Sequence, residues 1–258
     1  MSNDPRDPRT ATDLLDSMDQ VLTDAMPGHS RRSLMVRAGG LLAAGATLTL
    51  PGAAVAATGS SSSILSVLAT FEAFGVTLLS EAAKRAPGTP SAQFAGVVKA
   101  ANTTEFYHLS ALRALGAKPL TEKFWIPNAV LDGGAGLFNA IANQEEVEIS
   151  AYLVGVTEAT KRRDSKQARL FAEALGTEAE HRVLARYARA TLTNSLDVPN
   201  NRGFEAFHLQ SGSSALRASE SLGIGFGKQS PAPGAFYTYP GNPLKNGTGS
   251  AVTTTTPA

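Results

Sequence analysis

The chain has 258 residues, 43% of them hydrophobic and 17% charged, with 23 Lys+Arg against 22 Asp+Glu and no cysteine. That balance excludes a disordered polyelectrolyte, and no basic run marks a nucleic-acid surface. The absence of cysteine excludes disulfides, thiolate zinc sites, iron–sulfur clusters and a lipid-modified cysteine anchor.

Residues 1–56 read as an export signal with an extended n-region that carries several Asp. Ser30-Arg31-Arg32-Ser33-Leu34 is a twin-arginine pattern, and Ala38 to Leu50 carries no charged residue. Pro51-Gly52 breaks that run, and Ala54-Val55-Ala56 supplies a small-residue cleavage site. An uncleaved anchor is the alternative, since Ala38 to Ala57 is long enough to span a bilayer. Cleavage is preferred because the run is rich in Gly and Ala and only weakly apolar. The expected location is the periplasm, the cell envelope or the medium, with membrane contact only through the signal before cleavage. The twin-arginine route carries folded proteins, so a metal can be chosen in the cytoplasm.

Residues 57–195 read as four long helices, an all-α four-helix bundle. The first spans about Ser61 to Arg85, where Ile64, Leu68, Phe71, Gly75, Leu78 and Ala82 keep a helical period. Ser61 to Ser63 can cap its start, and Pro87-Gly88 ends it. The second spans about Ser91 to Leu115. Phe94, Val97, Val98, Ala101, Phe106, Leu109, Leu112 and Leu115 mark its apolar side, and Gly116 ends it. The third spans about Leu137 to Ala159, with Ile141, Val147, Ala151, Leu153 and Val154 inward. The fourth spans about Asp164 to Thr191, with Phe171, Leu175, Leu184 and Ala188 inward and Asp164 or Ser165 as cap. Short turns make two antiparallel hairpins. The longer stretch from Ala117 to Gly136 is expected to cross over and return the chain to the same end. That is a ferritin-like connection.

Residues 196–258 read as an irregular extension with one helical patch, Gly212 to Leu222. Phe204, Phe207, Phe236, Tyr237 and Tyr239 are its expected anchors. It is expected to wrap over the helices to about Pro240. The Thr-rich end, Gly247 to Ala258, is expected to be disordered.

The chemistry lies in a doubled spacing. Glu105 and His108 form one Glu-x-x-His, and Glu178 and His181 form another. Each has an upstream partner at the same distance: 105 − 72 = 33 and 178 − 145 = 33, for Glu72 and Glu145. Residues i and i+3 share a helix face, so each Glu-x-x-His can serve one metal ion or straddle two. An inward Glu from each of two helices, with Glu-x-x-His from each of two others, is the ligand set of di-iron and di-manganese carboxylate bundles. Four carboxylates balance two divalent cations, and unbalanced they would be very costly inside a bundle. Taken singly, His108 and His181 fit surface positions equally well; the repetition favours the metal. Glu148 shares the face of Glu145 and is a candidate seventh ligand. Glu146 and Glu180 are expected in solvent, and Glu81 on the surface. Tyr152, seven residues after Glu145, is expected to be a core tyrosine with its hydroxyl satisfied; a donor to the ligands or a redox role are alternatives.

From Ser61 to about Thr191 the chain resembles the exported ferritin-like domain family that includes desiccation-related proteins. The resemblance is carried by Ala-Thr-Phe-Glu-Ala-Phe and Glu-Phe-Tyr-His-Leu-Ser-Ala-Leu-Arg-Ala-Leu-Gly in the first two helices. It continues through Asn-Gln-Glu-Glu-Val-Glu-Ile-Ser-Ala-Tyr-Leu and Glu-Ala-Glu-His-Arg-Val-Leu-Ala-Arg in the last two. It implies the metal ligands Glu72, Glu105, His108, Glu145, Glu178 and His181, all of them filled. The extra Glu148 is similar to the pattern of rubrerythrins, which reduce peroxide. The expected cofactor is two iron ions, with two manganese ions as the alternative. The expected activity is oxidation of Fe(II) or consumption of oxygen or peroxide in protection of the cell envelope. A catalase-like di-manganese enzyme, and a non-enzymatic desiccation-protective bundle with a structural metal, are the alternatives. A homo-oligomer is compatible with all three.

Overall fold

The structure, a computed structural model, describes residues 63–205 and 207–253. The expected export signal and the first residues of the first helix lie outside the described residues. The chain is mostly helical, in keeping with the all-α expectation, with six α-helices and one small sheet among the described residues.

Helix α1 (Ile64–Arg85) starts where Ser63 accepts a hydrogen bond from the Ser66 N–H, which satisfies one of the free amides of the first turn. By length and apolar composition it could cross a membrane, yet most of it is buried among its neighbours. It packs against α2 (Ala95–Ala114), α3 (Ala135–Lys161) and α5 (Gly212–Ser221). Encirclement explains its composition, because a helix covered on all sides has no polar face to keep. Glu72, in its first half, is its one fully buried charged residue.

The second predicted helix begins as a 3₁₀ turn, Pro90–Phe94, and becomes α-helical at Ala95. Pro90 cannot donate a backbone N–H and sits where none is needed. Helices α3 and α4 (Ser165–Thr193) are joined by only three residues and pack along their lengths. Asp164 caps α4 by accepting from the Gln167 N–H, as expected. Val97, Leu115, Leu153 and Leu184 do not join the core; each is about 40% exposed.

The stretch between α2 and α3, expected as a crossover, contains regular structure. It holds strand β1 (Lys123–Pro127), the centre of a three-stranded antiparallel sheet with β2 (Gly225–Phe226) and β3 (Gly234–Thr238). Phe124 pairs with both Phe226 and Tyr237 in the register. The sheet rests on α1 through Phe71, Phe74, Phe124 and Phe226, whose rings meet at 5.7–6.0 Å. Edge-on aromatic contacts of this kind add about 0.5–1.5 kcal/mol each beyond burial.

The extension after α4 is more ordered than its composition predicts. Helix α5 falls on the expected patch, capped by the reciprocal Ser211–Ser214 pair. Phe204 is not an anchor and lies 66% exposed, and Phe236 is 38% exposed. After the one-turn helix α6 (Pro243–Asn246), Thr248 is buried and bonds to Ser80 and Asn102 at 2.9 and 3.1 Å. Ser250 then bonds to Thr103 and to the Lys99 carbonyl. The expectation of disorder from Gly247 thus fails through Ser250, because buried polar groups on α1 and α2 require these partners. The extension belongs to the same compact unit as the helices.

Candidate metal centre

Each long helix delivers its predicted residues to one place. Glu72 comes from α1, Glu105 and His108 from α2, Glu145 and Glu148 from α3, and Glu178 and His181 from α4. The six paired residues form two groups. Glu72, Glu105, His108 and Glu178 offer ligand atoms within 4.8 Å of one another, and so do Glu105, Glu145, Glu178 and His181. Glu105 and Glu178 belong to both. These buried Glu and His residues could hold a metal ion.

Both histidines reach across to a neighbouring helix, and His181 also bonds along its own. Nδ1 of His108, on α2, approaches Oε1 of Glu178, on α4, at 2.7 Å. Nδ1 of His181 lies 3.0 Å from Oε1 of Glu105 and 2.9 Å from Oε2 of Glu178. The His108–Glu178 approach lacks hydrogen-bond alignment, and both atoms remain buried without a partner. So do Glu72 Oε2, Glu105 Oε2 and Glu145 Oε2. Buried polar atoms normally find partners. Five orphaned atoms, four of them carboxylate oxygens, belong to residues of these two groups and fit cations held among them.

Electrostatics say the same. Burial, and then the nearby Glu178, push the carboxyls of Glu72, Glu105 and Glu145 above their ordinary range. Burial with Glu105 and Glu178 does so for Glu148. Burial also acts to raise Glu178, but His108 and His181 outweigh it and hold that group far below the usual carboxylate range. Burial acts to lower His181, but hydrogen bonds to Glu105 and Glu178 prevail and push it up to about 10. Burial acts to lower His108 as well, but the negative charges of Glu178 and Glu72 outweigh it and raise that group. Protons therefore stand in for positive charge among these carboxylates.

Several supporting residues are not marked by the ligand spacing. Thr104 donates its hydroxyl hydrogen to the Ala101 carbonyl at 2.8 Å, so its oxygen accepts from Nε2–H of His181 at 2.9 Å. That bond fixes the ring with Nδ1 facing the carboxylates, a familiar way of orienting a metal-binding histidine. Tyr152 is buried, as expected for a core tyrosine, and its hydroxyl donates to Oε1 of Glu72. This leaves only Oε2 of Glu72 to face His108, 3.6 Å away. Gln144 donates to Glu148 at 2.8 Å and accepts from Ser219 of α5. Thus Glu148 is buried beside the second group and held by an amide, outside both four-residue sets. Glu180 is exposed, and Glu81 pairs with Lys84 and Arg85 at the surface. Glu146 departs from expectation. It is 8% exposed because Arg202, from the extension, pairs with it at 2.8 Å.

Gly75 of α1 makes room for Glu105. A Cβ there would stand 2.7 Å from Glu105 Oε2. Gly75→Ala gains about 1 kcal/mol of helix propensity and loses about 1–3 kcal/mol to overpacking. Stability should change little, whereas displacing a carboxylate shared by both groups should weaken metal binding about 10–100-fold, the range seen when ligand positioning is disturbed. Thermal melting together with a chelator competition titration checks this; unchanged affinity would remove Glu105 from the centre.

Comparison with protein-family models, with curated proteins and with solved structures finds no match for this chain.

Proposed function

We propose that the chain is a ferritin-like four-helix protein that holds two transition-metal ions and acts as an exported oxidoreductase toward oxygen or peroxide. The observation that carries this reading is the pair of four-residue groups that share Glu105 and Glu178. Glu72 and His108 would serve one ion, Glu145 and His181 the other, with Glu105 and Glu178 common to both. Four carboxylates match the charge of two divalent cations. Mixed carboxylate and imidazole ligands suit iron or manganese, and the reading commits to iron. A bound iron pair supplies reversible electron transfer at both ions.

The chain's own residues do the rest. Tyr152 restricts Glu72 to one free oxygen. Thr104 keeps the His181 Nε2 proton away from the centre. Gln144 restrains Glu148, a buried carboxylate beside the second group that neither group uses. Burial on four helices excludes bulk water and gives each carboxylate charge a long reach. The Arg31-Arg32 pattern supports export of the folded, loaded protein, and a protective role at the cell envelope follows from that location.

Metal analysis of protein recovered from its native exported pool tests the reading, because metals exchange on overexpression. Two irons per chain, with oxidant consumed by the reduced protein, are expected. Glu105→Ala should lose the metal. Glu148→Ala should keep it and consume oxidant about tenfold more slowly, near 1.4 kcal/mol of barrier. A loaded protein inert to both oxygen and peroxide would leave a structural centre in a protective bundle.

A further inference from the structure

An apolar cavity of about 20 Å³ ends at His181. Leu79 of α1, Val98 and Ala101 of α2, Ile141 of α3 and Leu184 of α4 line it. Its outer rim includes Val97 and Leu184, 39% and 42% exposed, two of the apolar residues that the core does not claim. Leu79 and Ile141 are also wall to a second cavity, of about 10 Å³, which reaches Glu105, Glu145 and Glu148. The two cavities therefore adjoin across one pair of aliphatic side chains. The outer cavity touches His181 and the inner one Glu145, the two residues that only the second group uses.

The lining selects what can pass. In the outer cavity His181 is the one residue with a polar side chain, and its Nε2 is already engaged by Thr104. A hydrated cation would have to shed its water there with nothing to replace it. Peroxide would lose hydrogen bonds at both ends. Space for a water needs roughly 10–15 Å³, so a very small molecule fits, and an apolar cavity of this kind holds an apolar guest in preference to water. From this lining we infer that the outer cavity is the entry and holding site for dioxygen on its way to the Glu145–His181 side of the centre. The inference rests on the metal reading above only for its destination; the cavity itself stands on its lining.

Two measurements decide it. In protein supplemented with diamagnetic Zn²⁺, dissolved oxygen should enhance the relaxation of the methyl protons of Val98 and Ile141, both of them buried. The enhancement should exceed that of Val67 and Leu68, which are core methyls outside both cavities. Ala101→Phe should fill the cavity, abolish the enhancement, and slow the reaction of the reduced iron-loaded protein with dioxygen about tenfold or more, at unchanged metal content. Reaction with peroxide should slow less. If Ala101→Phe folds poorly by circular dichroism, Ala101→Leu should give the same changes with smaller amplitude. Methyl relaxation no greater than in the core controls would overturn the inference. So would equal slowing of oxygen and peroxide, or a filled cavity with an unchanged oxygen rate. A chain that takes up no metal would defeat the reading of the centre, and the methyl measurement on that same chain would still decide the cavity.

Discussion

The double variant His108→Ala/His181→Ala is expected to bind neither of the two metal ions proposed for the parent chain. Each histidine belongs to one group only, whereas Glu105 and Glu178 belong to both. Single variants should therefore separate the two positions. His108→Ala should keep the ion held through Glu145 and His181, and His181→Ala the ion held through Glu72 and His108. Loss of a direct ligand should exceed the roughly 10–100-fold penalty typical of a supporting residue, so the missing ion should not survive dialysis. Circular dichroism and metal analysis on the same samples distinguish loss of the ion from loss of the fold. Two equivalents of metal on a folded double variant would end the assignment of these six residues.

The centre was legible in the sequence because helix geometry is local and periodic. Glu105–His108 and Glu178–His181 need only the i,i+3 relation to share a face. Glu72 and Glu145 needed one further step, the equal interval of 33 residues. That step works because a helix of given length returns the chain to the same depth in an antiparallel hairpin. The ends of α1 and α4 were legible from Ser63, Pro87 and Asp164, whose capping and breaking effects do not depend on distant residues. Tyr152 could be placed on the face of Glu145, but its bond is to Glu72 of α1, and only the packing of α3 on α1 selects that partner.

What the sequence hid depends on contacts between remote segments. β2 is two residues long and acquires its meaning from Phe124 in another part of the chain. Glu146 reads as solvated until Arg202 of the extension closes over it. Thr248 reads as low complexity until Ser80 and Asn102 demand partners. Periodicity marked Val97, Leu153 and Leu184 as inward because it assumes that every apolar residue on a stripe has something to pack against. Val97 and Leu184 lack such a partner and line the apolar cavity at its exposed side instead.

Removal of the metal should lower the melting temperature, and by an amount that grows with pH. An ion present at about a thousandfold over its Kd stabilises the fold by about 4 kcal/mol, or roughly 8–16 °C for a domain of this size. The metal-free fold has its own pH dependence. His181 is raised to about 10, and His108 is raised as well, so both contribute stability that is complete below the unfolded value near 6.5 and is lost as pH climbs through the folded values. Glu72, Glu105, Glu145 and Glu148 are also raised above 4.5; they favour the fold while protonated and oppose it once they must ionise together. Glu178 alone has the opposite sign, contributing above 4.5 and losing that contribution only in strong acid. Six groups against one make the metal-free protein less stable as pH rises from about 5 to 9, since there the unfolded chain holds fewer of these protons than the folded one. The loaded protein behaves inversely, because its ligands are already deprotonated and acid competes with the metal for them. The difference in melting temperature between loaded and chelated samples should therefore widen toward pH 9 and close toward pH 5. Melting curves of both samples across that range, with metal removal verified, provide the check. A constant difference would mean that these carboxylates are solvated rather than buried together, and the centre would lose the electrostatic basis on which it has been assigned.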